Sequence, residues 1–327
     1  MMMDRLRLFS RRRGPPLAGL ALGGLAALSG CDIPGPELAP RESNPPPERP
    51  ERSAEVSDGQ SAALRAYYTR IENDRLERGL LRTDTAADDA PFTEAMLVEN
   101  FIRVALYNEY RIDGAVIREG ETPSRLRRWA APVRMRLEFG PGVAESTRRA
   151  DRAYLDDYAR RLARATRHEI TLTDDEQAAN FQILVLGEDE RAAIGARMRE
   201  LVPGIDARTL QTVETMPRRT FCLALAFSRG GRSTYSDAVA VVRAEHPDLT
   251  RQSCYDEELA QGLGLPNDSA LARPSIFNDA QEFARLTAHD ELLLRILYDP
   301  RLEPGMTEAE ARPIVRRIAA ELMNARS

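Results

Sequence analysis

Lysine is absent from the chain: all 46 residues counted as lysine or arginine are arginine. With alanine abundant, this reads as a coding bias, and no arginine patch is taken as a site. An excess of positive charge is missing too, since the formal net charge is −5 with 30% charged residues. That excludes nucleic-acid binding driven by charge and describes a soluble, mildly acidic chain. Histidine is restricted to His168, His246 and His289. The first two stand at element boundaries; His289 stands in a charged helix start, where it is expected to be solvated, and none of the three is assigned a catalytic role. A Gly-x-Ser-x-Gly elbow, a phosphate-binding glycine loop and a paired-cysteine motif are all missing, so nucleophilic catalysis has no candidate. Beyond Cys31 no hydrophobic run reaches the ~20 residues needed to span a bilayer.

What is present begins at the N-terminus. Arg5, Arg7 and Arg11 to Arg13 precede an apolar, glycine-rich run from Pro15 to Ser29, which ends in Leu28-Ser29-Gly30-Cys31. A basic n-region, a short apolar h-region and small residues before a cysteine form the pattern of a lipoprotein signal peptide. Residues 1–30 are therefore expected to be removed and Cys31 to carry acyl chains, which would tether the protein to a membrane. The expected location is the periplasmic side of the bacterial cell envelope, and Asp32, directly after the lipidated position, leans the choice toward the inner membrane. Residues 31–56, with Pro34, Pro36, Pro40, Pro45 to Pro47 and Pro50 among charges, read as an extended tether.

With Cys31 lipidated, Cys222 and Cys254 remain. An exported chain can join them, and a bridge over that loop is worth roughly 3 to 4 kcal/mol in the chain-entropy model. The alternative is a pair of buried thiols.

From Ser57 the pattern turns helical. Ala63, Leu64, Tyr67, Tyr68 and Ile71 recur at helical spacing behind Ser57 as cap, and Met96, Val98, Phe101, Ile102, Ala105 and Leu106 form a second stripe capped by Thr93. These place a helical segment over 57–125. Strict alternation from Val133 to Phe139 then predicts a half-buried strand ended by Gly140-Pro141-Gly142. A helix is expected over Ala144 to Ala165, strands near Ile170, over Phe181 to Leu186, Phe221 to Phe227 and Ala238 to Val242, and a helix from Asp189 to Leu201. Later helices run through Leu265, over Thr287 to Leu297 and from Thr307. Thr287 with Asp290, and Thr307 with Glu310, carry capping-box spacing. The fold class is α+β, with the sheet domain over 126–327.

The densest polar cluster is Asp256-Glu257-Glu258-Leu259-Ala260-Gln261-Gly262-Leu263-Gly264-Leu265, followed by Pro266-Asn267-Asp268. Positions 257 and 261 share a helix face and can converge on one ligand. Glu257 and Glu258, being adjacent, point about 100° apart and are not expected to face one substrate together. Read structurally, the cluster is the acidic first turn of a helix capped by Ser253, placed to suit the macrodipole and ending at Gly264.

The run resembles the metzincin clan of zinc peptidases, with an active-site helix of the form His-Glu-x-x-His-x-x-Gly-x-x-His/Asp. The resemblance puts Glu257 at the first ligand, Glu258 at the general base, Gln261 at the second ligand, Gly264 at the glycine, and Asn267 or Asp268 at the third ligand. Pro274-Ser275-Ile276-Phe277 falls where such peptidases carry a methionine-bearing turn, and the helix closing at Leu297-Tyr298 follows in the same order. It implies a mixed sheet with long helices, although both ligand histidines and the methionine are missing. The segments from Glu245-His246-Pro247 to Leu297-Tyr298-Asp299-Pro300 resemble more closely a bacterial envelope family classed as domain of unknown function 2927, over roughly Ala95 to Leu322. In that family histidine often stands where this chain has Asp256, and the resemblance brings no activity.

Zinc prefers nitrogen and sulfur, and the donors at these positions are all oxygen-bearing, so zinc is not expected. Calcium or magnesium would suit them better, but no cofactor is the primary expectation. The expected role is a lipid-anchored binding or assembly module with an envelope partner; the alternative is an envelope hydrolase, acting on peptides or glycans, with Glu258 as base.

Overall fold

The computed structural model describes residues 54–325 apart from 87–88, 114–115 and 279. The predicted signal segment 1–30, the tether up to residue 53 and Cys31 lie outside the described residues.

Alternation builds the sheet. In β4 (Val133–Phe139) Val133, Met135 and Leu137 are buried while the residues between them are half-buried. β6 (Phe181–Leu186) is buried at every position, as a central parallel strand covered on both faces must be. With β5 (Ile170–Leu172), β7 (Cys222–Phe227) and β9 (Asp237–Arg243) these form a five-stranded sheet in the order β5-β4-β6-β9-β7. All neighbours are parallel except β7, which pairs antiparallel with β9 at the edge. Ile183 is opposite Ala240 and Leu184 opposite Val241, so each register step alternates between two faces. Ile183, Val185, Ala240 and Val242 enter the larger core, whereas Leu184, Leu186, Val239 and Val241 enter a smaller one.

Helices cover both faces. On the larger core lie α2 (Glu94–Leu106), α3 (Glu145–Thr166), α7 (Asp248–Gly262), α8 (Ala288–Leu297) and α9 (Glu308–Asn324). Thr93 caps α2 by accepting from the Met96 amide, and Thr287 and Asp290 form the expected capping box on α8. Glu310 likewise accepts from the Thr307 amide and hydroxyl at the start of α9.

Several expectations need correction. α1 (Ala54–Glu77) already runs from Ala54, so Ser57 lies inside it and cannot cap it. The helix expected over Asp189 to Leu201 is two, α4 (Glu188–Ala192) and α5 (Gly195–Leu201), because the buried Arg191 guanidinium bonds the Val213 and Glu214 carbonyls while Ile194 and Met198 turn into the smaller core. α6 (Ala207–Glu214) was missed: it buries only Leu210 and Val213, too short a stripe to register, although Asp206 caps it. An antiparallel pair, β1 (Tyr107–Asp113) and β2 (Val116–Pro123), occupies part of the segment read as helical. Two-residue strands β3 (Arg128–Trp129) and β8 (Thr234–Tyr235) pair in parallel.

Candidate functional site

α7 leaves the sheet directly after β9 and carries the acidic cluster across the larger core. Its start is fixed by a buried pair: Arg251, 3% exposed, bonds Asp151 of α3, 0% exposed, at 2.7 Å. Asp151 also accepts from the Tyr255 hydroxyl at 2.7 Å. The far end is fixed by groups that answer its orphan carbonyls: the Trp129 indole donates to Gly262 O at 2.9 Å and the Tyr298 hydroxyl to Leu263 O at 3.0 Å. Two glycines make that approach feasible. A Cβ at Gly262 would run into the Phe181 ring, and Gly264, at φ +125°, would drive one into Arg127 O.

α7 begins at Asp248 behind Pro247, so Ser253 is an interior residue and does not cap it. Asp256, Glu257 and Glu258 therefore occupy the helix interior, and the macrodipole account of their charge fails. Asp256 is buried. Its carboxylate accepts from the Tyr154 hydroxyl and from the Leu286 amide at 2.9 Å, and the Tyr158 hydroxyl donates to its backbone carbonyl at 2.6 Å. Burial raises its carboxyl from the ordinary 3.8 to about 6, against the bonds from Tyr154 and Leu286 that lower it. It thus fastens α3 and the segment leading into α8 to α7.

Glu257 is half-buried and Glu258 is 5% exposed. Contrary to the helical-wheel argument, a carboxylate oxygen from each and Sγ of Cys222 all lie within 4.8 Å of one another. Long side chains bring together tips that their Cβ directions would separate. Among the described residues this is the set of three or more Cys, His, Asp or Glu donors that meets so closely, and Asp256 and Asp268 do not join it. Cys222 is bonded to Cys254, which ties the edge strand β7 to α7. Arg75 of α1 lies over the Phe221 ring at 4.5 Å; burial lowers its guanidinium, and the charge of Glu257 opposes that shift.

The remaining motif positions are engaged elsewhere. Gln261 donates its side-chain amide to Asp268 at 3.0 Å, and Asn267, 0% exposed, donates to Arg103 O at 2.9 Å. The turn at Ser275 to Phe277 is pinned to α8, since Asp290 accepts from the Ser275 hydroxyl at 2.6 Å and from the Ile276 amide at 3.0 Å. Two of the peptidase ligand positions thus carry amides, Gln261 and Asn267, that already donate within the fold where the pattern would place metal ligands.

Two of the three histidines, His246 and His289, are packing residues. His246 Nε2 donates to Phe221 O at 2.9 Å beneath Tyr68, and burial lowers its pKa from 6.5 to about 3, so it is neutral. His289, expected to be solvated, is 0% exposed: it contacts Asn100 Nδ2 at 3.1 Å and the edge of Phe92. Its helix start faces the core against α2, which the charges around it in sequence conceal.

Sequence reasoning missed Cys222 as a neighbour of the glutamates. The signal was available in the bridge itself, because Cys254 lies one turn before Glu257 and Glu258.

Fold and site together define an α+β protein whose acidic helix is bridged by a disulfide to the antiparallel edge of a mixed sheet. The chain belongs to the family described as Protein of unknown function (DUF2927), which matches residues 94–317. No curated protein and no solved structure matches the chain.

Proposed function

We propose that this is a lipid-anchored protein of the bacterial cell envelope, held on the periplasmic side through Cys31, whose α+β domain is a binding or assembly module on a zincin-like scaffold without its zinc. The order of parts supports a zincin-like origin: sheet, motif helix α7, turn and closing helix α8 follow in the sequence that the resemblance implies. The observation that carries the non-catalytic reading is the use of the ligand positions. Gln261 is bonded to Asp268 and Asn267 to the backbone of α2, so these groups hold the fold together. Incubating the full chain with a peptide mixture, with and without chelator, tests this. No chelator-sensitive cleavage is expected, and such cleavage would overturn the reading.

A second reading is favoured by the meeting of Glu257 and Glu258. A carboxylate that is 5% exposed beside another can act as a general base in a hydrolase, with Glu258 in that role. Glu258→Gln should then abolish turnover of a peptide or glycan substrate while leaving the circular dichroism spectrum unchanged; unaltered turnover would end it.

A further inference from the structure

The seam between β7 and α7 brings together a cystine and two carboxylates, one of them 5% exposed. While Cys222 is bonded to Cys254, its sulfur carries no charge to offer a metal, and two carboxylates alone are a poor site for a thiophilic ion. Reduction changes the donor set without requiring the backbone to move, because Cys222 Sγ is already within 4.8 Å of both carboxylate oxygens.

We propose that this seam is a redox-gated metal site, in which opening the Cys222–Cys254 bond lets Cys222 Sγ, Glu257 and Glu258 hold a thiophilic divalent cation such as Zn²⁺. A dithiol reductant supplies two electrons and two protons; the protein S–S bond breaks, two thiols form, and the reductant leaves as its own disulfide. Metal entry then releases the Cys222 proton to solvent, and thiolate and two carboxylates face the cation. Three protein donors leave the fourth tetrahedral position for water. Arg75, electrostatically linked to Glu257, offsets the residual negative charge. The set uses neither Gln261 nor Asn267 or Asp268 and adds Cys222, so it shares only Glu257 and Glu258 with the peptidase pattern, and it rests on the binding-module reading, in which Glu258 is not a general base.

The test compares Zn²⁺ affinities of full-length chains by competition with a chromophoric chelator. In Cys254→Ser, Cys222 is a thiol beside both glutamates with no reductant needed; in Cys222→Ser, the thiol belongs to Cys254, outside the cluster. Both lose the same cross-link and both keep Cys31, so each controls for the other. Cys254→Ser should bind one Zn²⁺ at least tenfold more tightly than Cys222→Ser and than the oxidised wild-type chain. Adding Glu258→Gln to Cys254→Ser should weaken it at least tenfold. Equal affinities in the two cysteine variants, or no effect of Glu258→Gln, would overturn the proposal. If the variants fail to fold by circular dichroism, phosphine-reduced wild-type chain is alkylated with and without Zn²⁺. Selective protection of Cys222 is then expected, and equal labelling of Cys222 with and without the metal would overturn it.

Discussion

At the scale of single residues, the chemistry of α7 is set by how far each acid is withdrawn from water. Asp256 is the extreme case, with its carboxyl raised by burial to about 6 from 3.8. Between about pH 4 and 6 the folded chain therefore holds a proton that the unfolded chain has released. The stability contributed by this group is complete below pH 4 and falls as pH rises through 6. The cost above that window is roughly 3 kcal/mol, from about 1.4 kcal/mol per pH unit of displacement. Other carboxylates move the opposite way: Glu138, for instance, is held below its usual range by Arg197 and Arg136 despite burial. The informative quantity is thus the difference between wild type and Asp256→Asn. Denaturant midpoints at pH 4, 5, 6 and 7 should show the wild type losing ground to the variant between pH 4 and 6 and levelling off by pH 7; parallel profiles would refute the assignment. None of this was legible in the sequence, where Asp256 reads as one acid of three. Which acid faces the core depends on Tyr154 and Tyr158, about a hundred positions earlier in the chain.

At the scale of elements, the strands were legible because side-chain alternation and complete burial both leave a pattern, as in β4 and β6. Capping at Thr93, Thr287 and Thr307 was legible for the same reason: it is local chemistry. The start of α7 was not, since it is fixed by the Arg251–Asp151 pair; its end at Gly264 was read from the glycine, but the groups that clamp that end, Trp129 and Tyr298, come from other elements and were not. Gly264 shows how strict that end is. Gly264→Ala would need a positive φ that alanine rarely adopts and would press its methyl against Arg127 O. A loss of more than about 1 kcal/mol in chemical denaturation is expected; a variant as stable as wild type would mean that α7 is not clamped beneath β3. The bridge between β7 and α7 closes a loop with a sequence separation of 32, worth roughly 4 kcal/mol in the chain-entropy model. Reduction should therefore lower the denaturation midpoint strongly, and an unchanged midpoint would show that the bridge constrains little.

At the scale of the whole molecule, the α+β class follows from the separate strand and helix patterns, and the family match over 94–317 agrees with the span read from the residues. α1 precedes that span yet is built into the domain: Tyr68 packs on Phe221 and His246, and Glu72 accepts from the Thr250 amide and hydroxyl at the start of α7. The anchor is the proposal that belongs to this scale. Cys31→Ser should abolish incorporation of labelled fatty acid into the protein, and continued incorporation would contradict lipidation at that position. The central claim is that the motif helix survives as structure without serving as a zinc centre. Its most direct test is the zinc content of the full chain with its disulfide intact, purified without chelator and measured by elemental mass spectrometry. The account predicts far less than one zinc per chain. A stoichiometric zinc in the oxidised protein would contradict it and make α7 a working metal-binding helix.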